Sequence, residues 1–197
     1  MIYGICGFKG VGKDTVGKYF VNRGYMKLSF GDVLKDVSGM IFGWDRKMLE
    51  GDSIESREWR EKEDKWWSKK LGMKITPRIV LQKIGTDIFR ENFHNDIWKL
   101  VIERKLVENR DRNIVITDCR FVNEMNLIKK YGGKIICVQR NKPEWFDDYR
   151  DFKIEYAYID KNIHKSELEW IRYKYDYEIL NDGGIEDLYK KIEKLLY

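Results

Sequence analysis

Three cysteines in 197 residues, Cys6, Cys119 and Cys137, are too few and too scattered for a disulfide framework. None forms a C-x-x-C pair, so zinc is not expected. Cys6 and Cys137 lie in strand-like runs and Cys119 just past one, which reads as small buried hydrophobes in a reducing compartment. No run approaches the roughly 18 apolar residues that a membrane helix needs. The start lacks the layout of a signal peptide, because Gly7, Lys9 and Gly10 interrupt its apolar run. A soluble, cytoplasmic protein with no membrane partner is therefore expected. No block of five like charges occurs, and there are no internal repeats or low-complexity tracts. The net charge of +5 comes from Lys and Arg interleaved with Asp and Glu. Such a surface suits a small anionic ligand better than a long polyanion, so nucleic acid is not the expected partner.

What is present is an ordinary globular composition, 43% hydrophobic and 36% charged. At about 150 residues per domain, the length fits one domain or one domain with an insertion. Ile2 to Cys6 reads as a strand ended by Gly7. Val16, Tyr19 and Phe20 then recur at helical spacing up to a left-handed cap at Gly24. Tyr25 to Phe30 is a second strand candidate, and Gly31-Asp32 opens a helix to about Met40.

Residues 44–75 are charge-dense and rich in tryptophan. Arg57–Glu61, Glu58–Lys62 and Glu61–Lys65 are opposite charges four apart, which predicts an exposed helix with Trp59 and Trp66 on one face. The tryptophans read as packing. Thr76-Pro77 starts a helix that Ile79, Ile84 and Ile88 carry to about Asn92, and Asp96 to Glu108 is another. NIVIT, 113–117, is the clearest buried strand. A helix marked by Phe121, Met125 and Ile128 follows it and closes at Gly132-Gly133. KIICVQ, 134–139, and Tyr177 to Leu180 are further strands, and Ile185, Leu188, Ile192 and Leu195 define a terminal helix. Apolar strands alternating with helices predict an α/β protein with a parallel sheet of about five strands, covered on both faces. Ligands of such sheets bind at the carboxyl ends of the strands.

One stretch carries chemistry directly. GFKGVGK, Gly7 to Lys13, fits the phosphate-loop pattern G-x-x-x-x-G-K, with a strand before it and a helix after it. Backbone N–H groups of such a loop wrap an anion, the helix N-terminus adds positive charge, and Lys13 would reach the β- and γ-phosphates. The pattern then departs. Asp14 stands where a magnesium-binding hydroxyl is usual, and Thr15 follows one place late. Asp14 would either bind metal or serve as a first-turn helix residue. NIVIT runs into Asp118-Cys119-Arg120, the pattern of an acidic group near a metal beside a phosphate-binding arginine. A helix N-cap is the bland alternative for Asp118. Lys35 would project towards an acceptor anion, or be a surface lysine.

The stretches GFKGVGKDT, RIVLQKIGTDIFRENF with Trp98 following, ITDCRFVNE, IHKSE and ILNDGGIEDLYKKI occur in that order. Together they resemble the phage-type deoxynucleoside monophosphate kinases of the phosphate-loop nucleoside monophosphate kinase superfamily, over nearly the whole chain. G-K-D-T is also shared with phosphomevalonate kinases; Gly85-Thr86-Asp87 is the more discriminating piece. The resemblance implies a three-layer α/β/α fold in a single domain spanning 1–197, with a helical acceptor-side insertion at about 41–110 and a lid at about 141–170. It implies transfer of the γ-phosphoryl group of ATP to a deoxynucleoside 5′-monophosphate (dNMP), with magnesium, in nucleotide biosynthesis.

Position by position, Lys9, Gly10, Gly12, Lys13, Asp14 and Thr15 match the donor-phosphate loop. Asn181, Asp182 and Gly183 match a loop that holds the donor adenine. Lys35, Arg78, Gln82, Thr86, Asp87, Arg90, Arg120 and Glu124 fall on the acceptor side. Lys13, Asp118 and Arg120 are the expected catalytic set, and Asp14 and Asp118 would contact magnesium, directly or through water. His164, Ser166 and Glu167 match an H-x-S-E element near the lid. Arg140, Lys142 and Arg150 are further candidates for charge stabilisation. Phe93 and Trp98 read as core, with stacking on a base as the alternative. The competing readings are another small-molecule kinase, such as a phosphomevalonate kinase, or a non-catalytic nucleotide-dependent binding module. The oligomeric state is open, with a homodimer among the options.

Overall fold

The structure is a computed structural model that describes residues 1–159, 163 and 167–196. In chain order it begins with strand β1 (Ile2–Cys6), helix α1 (Lys13–Val21) and strand β2 (Met26–Leu28). Helices α2 (Asp32–Phe42), α3 (Ile54–Glu61), α4 (Lys65–Leu71) and α5 (Pro77–Gln82) follow, and α5 runs directly into a π-helical segment, Lys83–Glu91. Then come α6 (Ile97–Glu108), β3 (Ile114–Ile116), α7 (Val122–Lys130), β4 (Lys134–Gln139), α8 (Phe146–Arg150), β5 (Tyr177–Leu180) and α9 (Ile185–Leu196). The chain divides into two compact units: Met1–Ser29 with Ile102–Tyr197, and Phe30–Val101.

The first unit holds a five-stranded, all-parallel sheet in the order β2-β3-β1-β4-β5. β3 is buried throughout, and β4 is buried at all but its first residue. Such continuous apolar strands are what a parallel sheet covered on both faces requires. Tyr3 and Ile5 of β1 point into one core with Val16, Tyr19 and Phe20 of α1 and Leu188 and Ile192 of α9. The residue between them, Gly4, faces the other way. A Cβ there would lie 2.4 Å from Ile128 Cδ1 of α7, so its lack of a side chain allows the close packing of that helix. Helices on both faces make this a three-layer α/β/α arrangement. Cys6, Cys119 and Cys137 are buried free thiols, as read from the sequence.

The register fixes where the loops emerge. Gly4 pairs with Ile116, and Cys6 pairs with Cys137. The segments after β1, β3 and β4 therefore leave the sheet at one edge, and β1 lies between strands reached in opposite directions. That is the switch point at which open α/β sheets bind ligands.

The second unit is helical. Trp44, Leu49, Ile75 and Val80 form its core, with Phe42, Trp59, Trp67, Leu81 and Ile84 against them. Phe42 and Trp44 stack at 4.5 Å between ring centroids. Trp44 Nε1 donates to Asp64 at 2.8 Å, and Trp67 Nε1 donates to the Phe42 carbonyl at 3.1 Å.

Several local expectations are corrected here. The exposed helix predicted across residues 57–66 is two helices, because Lys62 leaves the helical region and Asp64 caps a new start at Trp67 N. Trp59 therefore joins the core while Trp66 is 59% exposed, so they do not share a face. Glu61 pairs with Arg78 rather than along its own helix. The helix expected through Asn92 changes to π geometry at Lys83. Phe93, expected in the core, is 71% exposed, whereas Trp98 is buried as expected.

Candidate active site

The phosphate loop follows β1 and turns into α1. Gly12, its last residue before the helix, has φ 106°, and a Cβ there would lie 2.6 Å from Asn181 Nδ2. Glycine meets both demands, a left-handed backbone and a close neighbour. Gly12 also brings no side chain to cap α1. The amides of the first helical turn have no intrahelical acceptors, and with the helix dipole they favour an anion.

Lys13 is partly buried at the start of α1. Its ammonium donates to the carbonyls of Gly7 at 2.8 Å and Phe8 at 2.6 Å. Burial lowers its pKa to about 8, with the nearby Arg120 charge adding to the effect and Glu167 and Asp14 opposing it. Asp14 lies in the first turn of α1, with one oxygen 4.0 Å from Lys27 Nζ. Thr15 follows in the same turn. Lys9 and Gly10 are exposed on the outer part of the loop.

Asp118 and Arg120 follow β3, beside the phosphate loop. The Asp118 Oδ2 atom accepts a 2.7 Å hydrogen bond from the Ser29 hydroxyl, at the end of β2. Asp118 is not the N-cap of α7, which starts at Val122. The start of that helix is instead held by Glu124, whose carboxylate accepts from the amides of Arg120 at 2.8 Å and Phe121 at 3.1 Å. Glu124 is buried at 2% exposure, so it secures the Arg120 backbone from below. The Arg120 guanidinium donates to Glu167. Burial alone would lower its pKa, but Glu167 and then Asp118 outweigh that and raise it.

Asn181 follows β5. Its side-chain amide donates to the Val11 carbonyl at 2.8 Å, and its backbone N–H donates to Gln139. The residue matched to a donor-base loop thus also braces the phosphate loop. Gly183 sits against Asp187, whose carboxylate would lie 2.7 Å from a Cβ added at that glycine. Asp182 pairs with Lys191.

Phe8, inside the phosphate loop, packs edge-on against Phe146, Trp145 and Trp170. The segment after β4 is therefore packed on the loop itself. Lys142 and Arg150 are paired with Asp147, and Arg140 is exposed. His164 and Ser166 lie outside the described residues.

The second unit carries the other candidates. Lys35 donates to Glu50 at 2.8 Å and lies 3.7 Å from Asp32. Burial would raise the Glu50 carboxyl, but Lys35 and Arg46 hold it below its ordinary value. Arg78 pairs with Glu61, and Gln82 is half-buried at the end of α5. Thr86, Asp87 and Arg90 sit on the π segment. Thr86 and Arg90 are buried and Asp87 is exposed, and Arg90 donates to the Asn95 carbonyl at 3.1 Å. Trp98 Nε1 donates to the Gly85 carbonyl at 2.8 Å within this segment. π geometry is rare and concentrates at functional sites.

Sequence reasoning did not single out Ser29, Phe8 or the Trp98 N–H. Ser29 lies in the quoted SFGDVLKD stretch, but its partner is 89 residues away and leaves no local signal.

Residues 46–192 match the family model for deoxynucleotide monophosphate kinase. The chain belongs to the deoxynucleotide monophosphate kinase family. It is 30% identical to the putative deoxynucleotide monophosphate kinase of Acanthamoeba polyphaga mimivirus, covering 98% of this chain and 94% of that one. The mimivirus alignment takes in nearly the whole chain, whereas the family match begins after the phosphate loop. A second relative, the deoxynucleotide monophosphate kinase of Escherichia phage RB69, is 30% identical over 60% of this chain and 44% of its own. Among solved structures, dephospho-CoA kinase from Campylobacter jejuni is similar at TM-score 0.51, 17% identity, 99% of this chain and 94% of that one. That likeness carries the fold alone, a phosphate-loop kinase fold.

Proposed function

We propose that the protein transfers the γ-phosphoryl group of ATP to a deoxynucleoside 5′-monophosphate, giving the diphosphate. The observation that carries the reading is the placement of Lys13 and Arg120 after the neighbouring strands β1 and β3, near enough for the two charges to act on each other, in a chain of this family. Phosphoryl transfer asks a protein mainly for positioning and charge neutralisation. The loop amides and Lys13 bind the donor's phosphates. On binding, the Lys13 ammonium exchanges the Gly7 and Phe8 carbonyls for phosphate oxygens, a stronger charge-assisted contact. Arg120 offsets the charge that the acceptor phosphate brings to the donor. A phosphate dianion is the nucleophile, so no general base is needed.

Thr86, Asp87, Arg90, Arg78, Gln82 and Lys35 are assigned to the acceptor side, and Asn181 and Gly183 to the donor base. Closing a lid formed by the segment after β4 would exclude water, so that ATP is not hydrolysed instead. Its Phe146 and Trp170 rings touch Phe8 of the phosphate loop, so the segment borders the proposed donor site.

The donor set also suits magnesium. This ion takes oxygen ligands and is usually held by one or two carboxylates together with substrate phosphates and water. Asp118, oriented by Ser29, and Asp14 supply carboxylates of that kind. No group of three or more metal-ligating side chains gathers among the described residues, which fits a metal shared with the nucleotide rather than caged. When bound, magnesium neutralises phosphate charge. No helix among the described residues is long and apolar enough to cross a membrane. The partner in this reading is a small molecule, and the enzyme works in the cytoplasm of a bacterial or host cell in nucleotide biosynthesis.

The test is an ATP-consumption assay across the four dNMPs, the matching ribonucleotides and mevalonate phosphate. Turnover with at least one dNMP supports the reading. Phosphorylation of mevalonate phosphate and of no nucleotide overturns it.

A further inference from the structure

The Arg120 backbone is held from below by Glu124, which accepts from the amides of residues 120 and 121. Its side chain remains 35% exposed. A guanidinium on a long stem has several rotamers, and backbone restraint alone does not aim it. Among the described residues, the group its Nη1 reaches is the carboxylate of Glu167, itself 22% exposed.

Glu167 leads into a buried stretch. The residues after it, Leu168, Trp170 and Ile171, are buried at 2%, 1% and 0% exposure. The Trp170 ring packs edge-on against Phe8 of the phosphate loop, with centroids 5.0 Å apart. The carboxylate is therefore carried on a segment that is seated on the loop it serves.

We propose that Glu167 is a positioning residue for phosphoryl transfer: it holds one nitrogen of Arg120 so that the rest of the guanidinium faces the phosphate oxygens beside Lys13. A guanidinium presents donors on two edges. With Nη1 taken by Glu167, the remaining donors form a fork of fixed direction, suited to two oxygens of one phosphoryl group. The carboxylate has a second consequence. Lys13 and Arg120 repel each other, and Glu167 opposes that repulsion from close by. It thus lets two cations share one site before substrate arrives. The role rests on the kinase reading above, and Glu167→Gln tests it because the amide keeps the shape and loses the charge.

The expected result is a kcat lowered about 100-fold, the scale of a misplacement of about 1 Å, with the KM for ATP changed much less. In an Arg120→Ala background, Glu167→Gln should cause no further loss, since the residue acts through Arg120. Glu167→Asp, which keeps the charge one methylene short, should recover part of kcat.

Thermal melting of each variant identifies loss of fold. If Glu167→Gln melts early, the Glu167→Asp and Arg120-background comparisons decide. Wild-type kcat in Glu167→Gln overturns the role, as do losses that multiply in the double variant or a Glu167→Asp variant no better than Glu167→Gln. A wild-type protein that makes no dNDP overturns the functional reading and this role with it. A wild type that turns over beside an unaffected variant overturns the role alone.

Discussion

The Ser29 hydroxyl donates to Asp118 Oδ2 across 2.7 Å, joining the ends of β2 and β3. These strands are neighbours in the sheet, so the bond sets the direction of the carboxylate at the ligand-binding edge. Ser29 is itself 6% exposed, and little water can replace it. Ser29→Ala should therefore lower stability by about 1.5 kcal/mol, the scale of a hydrogen bond to a charged group. It should also raise the magnesium concentration needed for half-maximal turnover. Denaturant melts and a magnesium titration check the two effects. An unchanged magnesium requirement would remove Asp118 from the metal's neighbourhood.

Asn181 braces the phosphate loop through Val11, and the Asn181 amide occupies the space that a Gly12 side chain would need. Asn181→Ala leaves a buried carbonyl without its donor, at a cost of about 1–3 kcal/mol. The expected signature is a raised KM for ATP with a smaller change in the KM for the acceptor. Gly12→Ala should be worse in both respects, because it adds strain at φ 106° as well as the clash. Steady-state kinetics with each substrate varied in turn distinguishes these outcomes.

In the second unit, Trp98 Nε1 holds the Gly85 carbonyl at the start of the π segment that carries Thr86, Asp87 and Arg90. Trp98→Phe keeps most of the packing and removes the donor. It should cost about 1 kcal/mol in stability and raise the KM for the dNMP, leaving the KM for ATP near its wild-type value. Equal changes in both KM values would mean that the segment does not read the acceptor.

The lowered Lys13 pKa gives a pH dependence with a definite sign. Its ammonium titrates near 8 in the folded protein against 10.5 ordinarily. The protonated form is the one that binds phosphate, so kcat/KM for ATP should fall above about pH 8, reporting the free enzyme. Stability moves the other way. Below pH 8 both states carry the proton, and the folded state bears the full cost of a buried charge. Between 8 and 10.5 the unfolded chain holds more protons, so this cost is relieved as pH rises. A Lys13→Met variant should gain most in melting temperature relative to wild type below pH 8, and the gain should close towards pH 10.5.

The parts of the fold that were legible in the sequence share a physical cause. KIICVQ was read to the residue because a strand buried on both faces has to be continuously apolar, and Lys134–Gln139 is such a strand. The phosphate loop was legible because its glycines and Lys13 are local demands of one turn. The break between α3 and α4 was not, since charges four apart look alike on one helix or across two. Asp64 was the available signal, as a capping residue before Trp67. The π segment was not legible, and the Trp98 N–H that holds its Gly85 carbonyl lies 13 positions on. Phe93 followed the general rule for large apolar residues and proved exposed. Lys13, Asp118 and Arg120 were read at strand ends, and they do follow β1 and β3. Their orienting partners, Ser29 and Glu167, stand 89 residues from Asp118 and 47 from Arg120, and only folding brings them together.

The central claim is direct transfer of a phosphoryl group at the Lys13–Arg120 site. It is tested most directly by incubating wild type and Lys13→Met with γ-labelled ATP and a dNMP, then separating the nucleotides from free phosphate. The account predicts label in the dNDP for wild type and a loss of about 100-fold or more in Lys13→Met, with the variant still folded. Label appearing only as free phosphate in wild type, or a Lys13→Met variant with near-normal transfer, would contradict it.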